Sequence, residues 1–136
     1  MVVSNEQGEV WLIDLASRSA IGEPFTGSAS QFQGADLSPD GTRIVAIGRD
    51  GDLRMWDTET RTLVTSPLQA PGVDGGKVRF TTNDQLITFG DGPARVWDFG
   101  VERLRSLACE LAGRSLTEDE RAIYADRLIE TDVCMP

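Results

Sequence analysis

Short runs of alternating apolar and polar residues fill the first hundred positions, and turn residues separate them. "TRIVAIG" (42–48) and "LRMW" (53–56) carry β-branched, aliphatic or aromatic side chains at the strand period of two. "RDG" (49–51) stands between them as a tight hairpin signal. "SPDG" (38–41) is a second turn: Pro39 pre-sets φ and Gly41 accepts a positive one. Comparable runs predict strands at 1–4, 8–13, about 19–25, 32–37, 43–48, 52–57, 61–66, 76–80, 85–89 and 93–98. After Asp98 the period lengthens. Leu104, Leu107, Ala108 and Leu111 stand at i, i+3, i+4 and i+7, which predicts a helix over 101–114 stopped by Gly113. Thr117 and Glu120 form a capping box that opens a second helix over 116–129. The C-terminal region reads as an α-helical hairpin followed by the extended "ETDVCMP".

The strand-forming part repeats itself. "GEVWLID" (8–14), "GDLRMWD" (51–57) and "GPARVWD" (92–98) align, with Asp14, Asp57 and Asp98 separated by 43 and 41 residues. Pro24 and Phe25 fall 43 positions before Pro67 and Leu68. "ADLSPDGTRIVAIG" (35–48) aligns with "VRFTTNDQLITFG" (78–90), with one residue deleted at the turn. Each repeat holds about four short strands, too little to bury both faces alone, so neighbouring copies must stack.

The "SPDG", "DG" and "WD" signals at a period in the forties resemble WD-repeat β-propellers. The resemblance covers residues 1–98 and implies an all-β partial propeller, with 99–136 as a helical tail. It implies structural work for Asp14, Asp50, Trp56, Asp57, Asp91, Trp97 and Asp98. Trp56 and Trp97 read as wedges between adjacent blades, against the alternative of ligand stacking. The family's His-Ser-Asp-Trp hydrogen-bond network is incomplete. Gly27 is followed by Ser28 rather than His, and the usual second-strand serine is replaced near Ile47 and Phe89.

A blade needs four strands. The first blade lacks its inner strand, the second is complete, and the third lacks its outer strand, about two and a half blades in all. The chain is therefore expected to be the C-terminal piece of a longer protein, or a remnant that assembles with copies.

Composition narrows the function. Thirteen Lys and Arg against 22 Asp and Glu give a net charge of -9, which repels nucleic acid and anionic membrane surfaces. No apolar run is long enough to span a membrane, and the start lacks a signal peptide, so a cytoplasmic location is expected. Histidine is absent, which removes the imidazole base for a Ser or Cys nucleophile. The carboxylates sit in turns and helix caps, so no enzyme activity and no cofactor are expected. Cys109 and Cys134 are the two thiols, read as a close reduced pair or a disulfide rather than a metal site. "TEDE" (117–120) reads as a helix start or an acidic site for a basic partner.

The tail also resembles the segment closing many actinobacterial multidomain WD-repeat proteins. Cys109, Ala112, Gly113, Arg114, Leu116, Thr117, Glu120, Tyr124 and Cys134 match, while Ser115 and Arg121 depart. That implies a bacterial chain with a regulatory or NTPase module upstream. Two functions follow: a protein-interaction scaffold, or the sensor module of a signalling protein whose chemistry lies upstream. Rim contacts would fall to Arg49, Asp52, Arg54 and Arg95. Partners would be other proteins or the remaining blades of the same propeller.

Overall fold

The computed structural model describes residues 1–27, 31–70, 72–73 and 76–112. The chain divides into two compact units, Met1–Trp97 and Asp98–Pro136. Among the described residues, ten strands form three sheets. The first sheet orders β1 (Val2–Ser4), β2 (Val10–Asp14) and β3 (Ser19–Ala20). The second orders β4 (Phe32–Leu37), β5 (Arg43–Gly48), β6 (Asp52–Asp57) and β7 (Leu68–Gln69). The third contains β8 (Lys77–Phe80), β9 (Gln85–Phe89) and β10 (Arg95–Asp98). Each strand pairs with its chain neighbour, so every sheet is a meander. The three-four-three strand count is the one the repeat implies.

The outer strands depart from the expected run at 61–66. The second sheet's ladder touches at the Trp56–Leu63 bridge, then resumes only at Leu68 and Gln69. The first sheet breaks in the same place: Ile13 pairs with Ala20, and Val10 then bridges to Phe25. Pro24 and Pro67 lie in the two gaps. A proline has no N–H to donate and confines itself to edges and bulges.

The sheets stack face to face through residues one period apart. Val10 and Phe25 of the first sheet cluster with Phe32, Ile44, Ala46 and Trp56 of the second. Strand alternation sends Val45, Ile47, Leu53 and Met55 to the opposite face of the second sheet, toward the third, where they are also buried. Polar ties reinforce this second junction. The Phe80 N–H donates to Asp36 Oδ2 at 2.8 Å, and Lys77 Nζ donates to the Gln33 carbonyl at 2.8 Å. The Asp40 N–H donates to Asn83 Oδ1 at 3.0 Å, joining the two equivalent turns.

Helix α1 (Val101–Ala112) occupies the predicted segment. Just before it, Asp98 Oδ1 accepts from the Gly100 N–H at 3.0 Å in an Asx turn, and the Gly100 carbonyl accepts from the Leu104 N–H at 2.9 Å, opening the helix. No helix among the described residues is long and apolar enough to cross a membrane. The second predicted helix, Arg121 and Cys134 lie outside the described residues.

Candidate interaction surface

The repeat aspartates organise hairpin turns. Asp14 Oδ1 accepts from the Ala16 N–H at 2.8 Å, and Oδ2 from the Ser17 hydroxyl at 3.0 Å. One period on, Asp57 Oδ1 accepts from the Thr60 N–H at 2.8 Å, the Thr60 hydroxyl and the Glu59 N–H. The Ala16 N–H, then the Ser17 hydroxyl, hold the Asp14 carboxyl below its ordinary value. The Thr60 N–H and hydroxyl do the same for Asp57. Asp40, in the "SPDG" turn, is lowered by the Ser38 hydroxyl and then by the Thr42 N–H and hydroxyl.

These turns also hold a feature the sequence reading missed. Arg18 and Arg61 have φ of 57° and 58°, the non-glycine residues with positive φ among those described. Arg61 donates from its two terminal nitrogens to the carbonyls of Glu23 and Ile21. Its guanidinium lies 4.6 Å from the centroid of the Phe25 ring. The turn of the second sheet thus clasps the outer segment of the first. The signal was present as Asp-x-x-x-Arg-Ser/Thr at 14–19 and 57–62.

Trp56 is buried. Its ring meets Phe25 at 6.2 Å and Phe32 edge-on at 5.7 Å, and Nε1 donates to the Thr26 carbonyl at 3.3 Å. Trp97 is half-buried, and its Nε1 donates to Thr88 Oγ1 at 2.9 Å. That bond corrects the expected loss of the second-strand hydroxyl in both repeats. The equivalent position is Thr88 in the third sheet and Ala46 in the second, one residue before Phe89 and Ile47. The third sheet therefore retains the hydroxyl, whereas Trp56 turns to a backbone carbonyl instead.

The four rim candidates divide. Asp52 is buried, and its Oδ2 accepts from Arg54 Nε at 2.7 Å. The Arg54 side chain is itself 16% exposed. Their assignment as open rim contacts is corrected: they satisfy each other, because β6 alternation puts both on the face that Trp56 buries. Arg49 and Arg95 are exposed. Arg49 stands beside Asp50, whose Oδ1 accepts from the Asp52 N–H at 3.2 Å and shapes the hairpin. Gly51 completes that turn at φ 78°, where an added Cβ would stand 2.7 Å from the Ala70 carbonyl oxygen. Asp91 is exposed in the equivalent hairpin. Cys109 lies on α1.

A cavity of ≈ 410 Å³ lies beside the inner strands, bordered by Val2, Ser4, Gln33, Ala35, Lys77 and Phe89. Lys77 is held by the Gln33 carbonyl, and Arg79, also on its wall, pairs with Asp36 at 3.2 Å. Among the described residues no group of three His, Cys, Asp or Glu side chains converges as a metal site.

The solved WD40 β-propeller domain of Doa1 superposes on 75% of this chain and 34% of its own, at a TM-score of 0.61 and 21% identity. The sheets are blades of a partial WD40 β-propeller. Two curated proteins are similar to the chain in sequence. The chain is 32% identical over 81 residues to the ribosome biogenesis protein ytm1 of Aspergillus clavatus. It is 36% identical over 64 residues to a guanine nucleotide-binding protein subunit beta-like protein of Encephalitozoon cuniculi. The first match spans 54% of this chain and 16% of the relative, the second 47% and 19%. No family model matches the chain.

Proposed function

We propose that the chain is a non-catalytic protein-interaction scaffold, the C-terminal part of a larger WD-repeat protein of the cytoplasm. One observation carries the reading: equivalent turns of adjacent blades are tied together, as by the Asp40–Asn83 bond and the Arg61 clasp. The Lys77–Gln33 bond does the same at the other end of the strands, where Phe32 pairs with Gly48 and Lys77 with Phe89 beside the exposed hairpins around Arg49 and Arg95, and a rigid frame carrying exposed loops suits recognition. One similar protein is named as guanine nucleotide-binding protein subunit beta-like, which fits a role in assembly. A second reading, a sensor module regulated with an upstream NTPase, draws on the tail residues Cys109, Ala112, Gly113 and Arg114.

The net charge of -9 favours a partner that is basic overall, with its carboxylates confined to where it meets the exposed Arg49 and Arg95, so its association slows as salt rises. The test is quantitative binding of each partner captured from the source cell, re-measured as a purified protein. The expected result is tight binding by the parent chain, weakened at least tenfold in Arg49→Glu or Arg95→Glu, with no substrate turnover. Turnover abolished by changing one carboxylate, with no purified partner that binds, would overturn the scaffold.

A further inference from the structure

Three described turns carry an Asp-Gly step, at Asp40–Gly41, Asp50–Gly51 and Asp91–Gly92, and all three aspartates are exposed. A fourth step, Asp74–Gly75, lies outside the described residues. Such a step is chemically weak, because glycine has no side chain to keep the preceding carboxyl from its backbone nitrogen. Two of the three are held. Asp40 Oδ1 accepts from the Thr42 N–H at 3.0 Å, and the Gly41 N–H donates to the Ser38 carbonyl at 2.9 Å. Asp50 Oδ1 accepts from the Asp52 N–H at 3.2 Å, and the Gly51 N–H donates to the Gly48 carbonyl at 3.1 Å. In both turns the N–H two residues on ties the carboxylate, and the glycine N–H is spent in the turn.

At the third step the residue two on is Pro93, which has no N–H to give. Asp91 therefore cannot make the bond that holds Asp40 and Asp50. A glycine before a proline is also driven toward an extended backbone. Gly41 and Gly51 have φ of 76° and 78°, whereas Gly92 is not among the glycines with positive φ. Among the described residues the Gly92 N–H makes no turn hydrogen bond. The third hairpin keeps the Asp-Gly sequence without the bonds that restrain it.

We propose that Asp91 is a site of spontaneous modification, where aspartate isomerises to isoaspartate. The Gly92 backbone nitrogen attacks Cγ of the protonated Asp91 carboxyl. The nitrogen's proton and the side-chain hydroxyl leave as water, and a five-membered succinimide closes. Water then adds at either carbonyl of that ring. Addition at Cγ restores aspartate; addition at the main-chain carbonyl carbon leaves the backbone running through Cβ and Cγ. The water lost is regained, so no oxidant or cofactor enters and the mass is unchanged. The product lengthens the hairpin that carries Arg95 by one backbone atom. It does so where the fit is close, since a Cβ on Gly92 would stand 2.3 Å from the Gly72 carbonyl oxygen. The modification is independent of the scaffold reading; only its effect on partner binding rests on that.

The test ages the full chain at neutral pH, digests it, and maps the peptides by chromatography with electron-transfer fragmentation, which separates isoaspartate from aspartate at equal mass. Isoaspartate is expected to accumulate at residue 91 about tenfold faster than at residues 40 and 50, the factor that one freed hydrogen bond supplies. In urea the three steps are expected to react at similar rates. Pro93→Asp copies the second-blade turn and is expected to bring residue 91 down to the rate of residue 50. Pro93→Ala restores the same N–H and serves if Pro93→Asp loses its β-sheet circular dichroism. Equal rates at the three sites of the folded chain overturn the proposal, as does a preference for residue 91 that persists unchanged in urea. An undiminished rate in the Pro93 variants overturns it as well.

Discussion

Arg61 shows how much a single side chain does in this fold. Its backbone turns the hairpin in a left-handed conformation that few non-glycine residues adopt, while its guanidinium clasps the preceding blade. Arg18 has the same backbone and the same turn network, but it is exposed and faces no outer segment of a described blade. Arg61→Ala is therefore expected to lower unfolding free energy by about 1–2 kcal/mol, from lost hydrogen bonds and the cation–π contact. Arg18→Ala is expected to stay within about 0.5 kcal/mol, as exposed substitutions do. Urea titration of both variants checks the contrast; equal effects would show that the clasp is idle. Asp14, Asp40 and Asp57 make a pH prediction of definite sign. Each has its folded pKa lowered by donors in its own turn. Their contribution is complete above the unfolded aspartate value and is lost as pH falls through the lower folded values. Asp57→Asn is expected to flatten the acid limb of the stability–pH curve below the ordinary aspartate range, and unchanged curvature there would contradict the assignment.

At the scale of elements, the strands were legible because period-two runs and Pro, Asp and Gly turns recur every 41 to 43 residues. The gap in the outer strands was not. It depends on Pro24 and Pro67 interrupting a ladder whose ends still pair, at Val10–Phe25 and Leu53–Leu68. Reading Asp52 and Arg54 as rim residues failed for a similar reason: strand alternation shows which face they share, but only tertiary stacking buries it. Thr88 was missed because the hydroxyl position was placed one residue late in both repeats, at Ile47 and Phe89 rather than Ala46 and Thr88, and a shift of one residue turns a strand side chain to the other face. The two tryptophans now predict different costs. Trp56→Ala empties a buried site between Phe25 and Phe32 and is expected to cost about 3–5 kcal/mol. Trp97→Phe keeps an aromatic ring but leaves the buried Thr88 hydroxyl without that donor, at about 1 kcal/mol. Thermal melts of both, compared with the parent, decide it; a milder loss for Trp56→Ala would mean the inter-blade wedge carries little.

For the whole molecule, the chain is a set of stacked blades whose exposed hairpins are held in register by contacts one period apart. The central claim is that this surface binds another protein through the turns around Arg49 and Arg95. Hydrogen-exchange mass spectrometry of the full chain, with and without a purified partner, tests it most directly. The account predicts slowed exchange confined to residues 48–51 and 90–95, diminishing as salt is raised. Protection absent from both hairpins in the presence of a bound partner would contradict it.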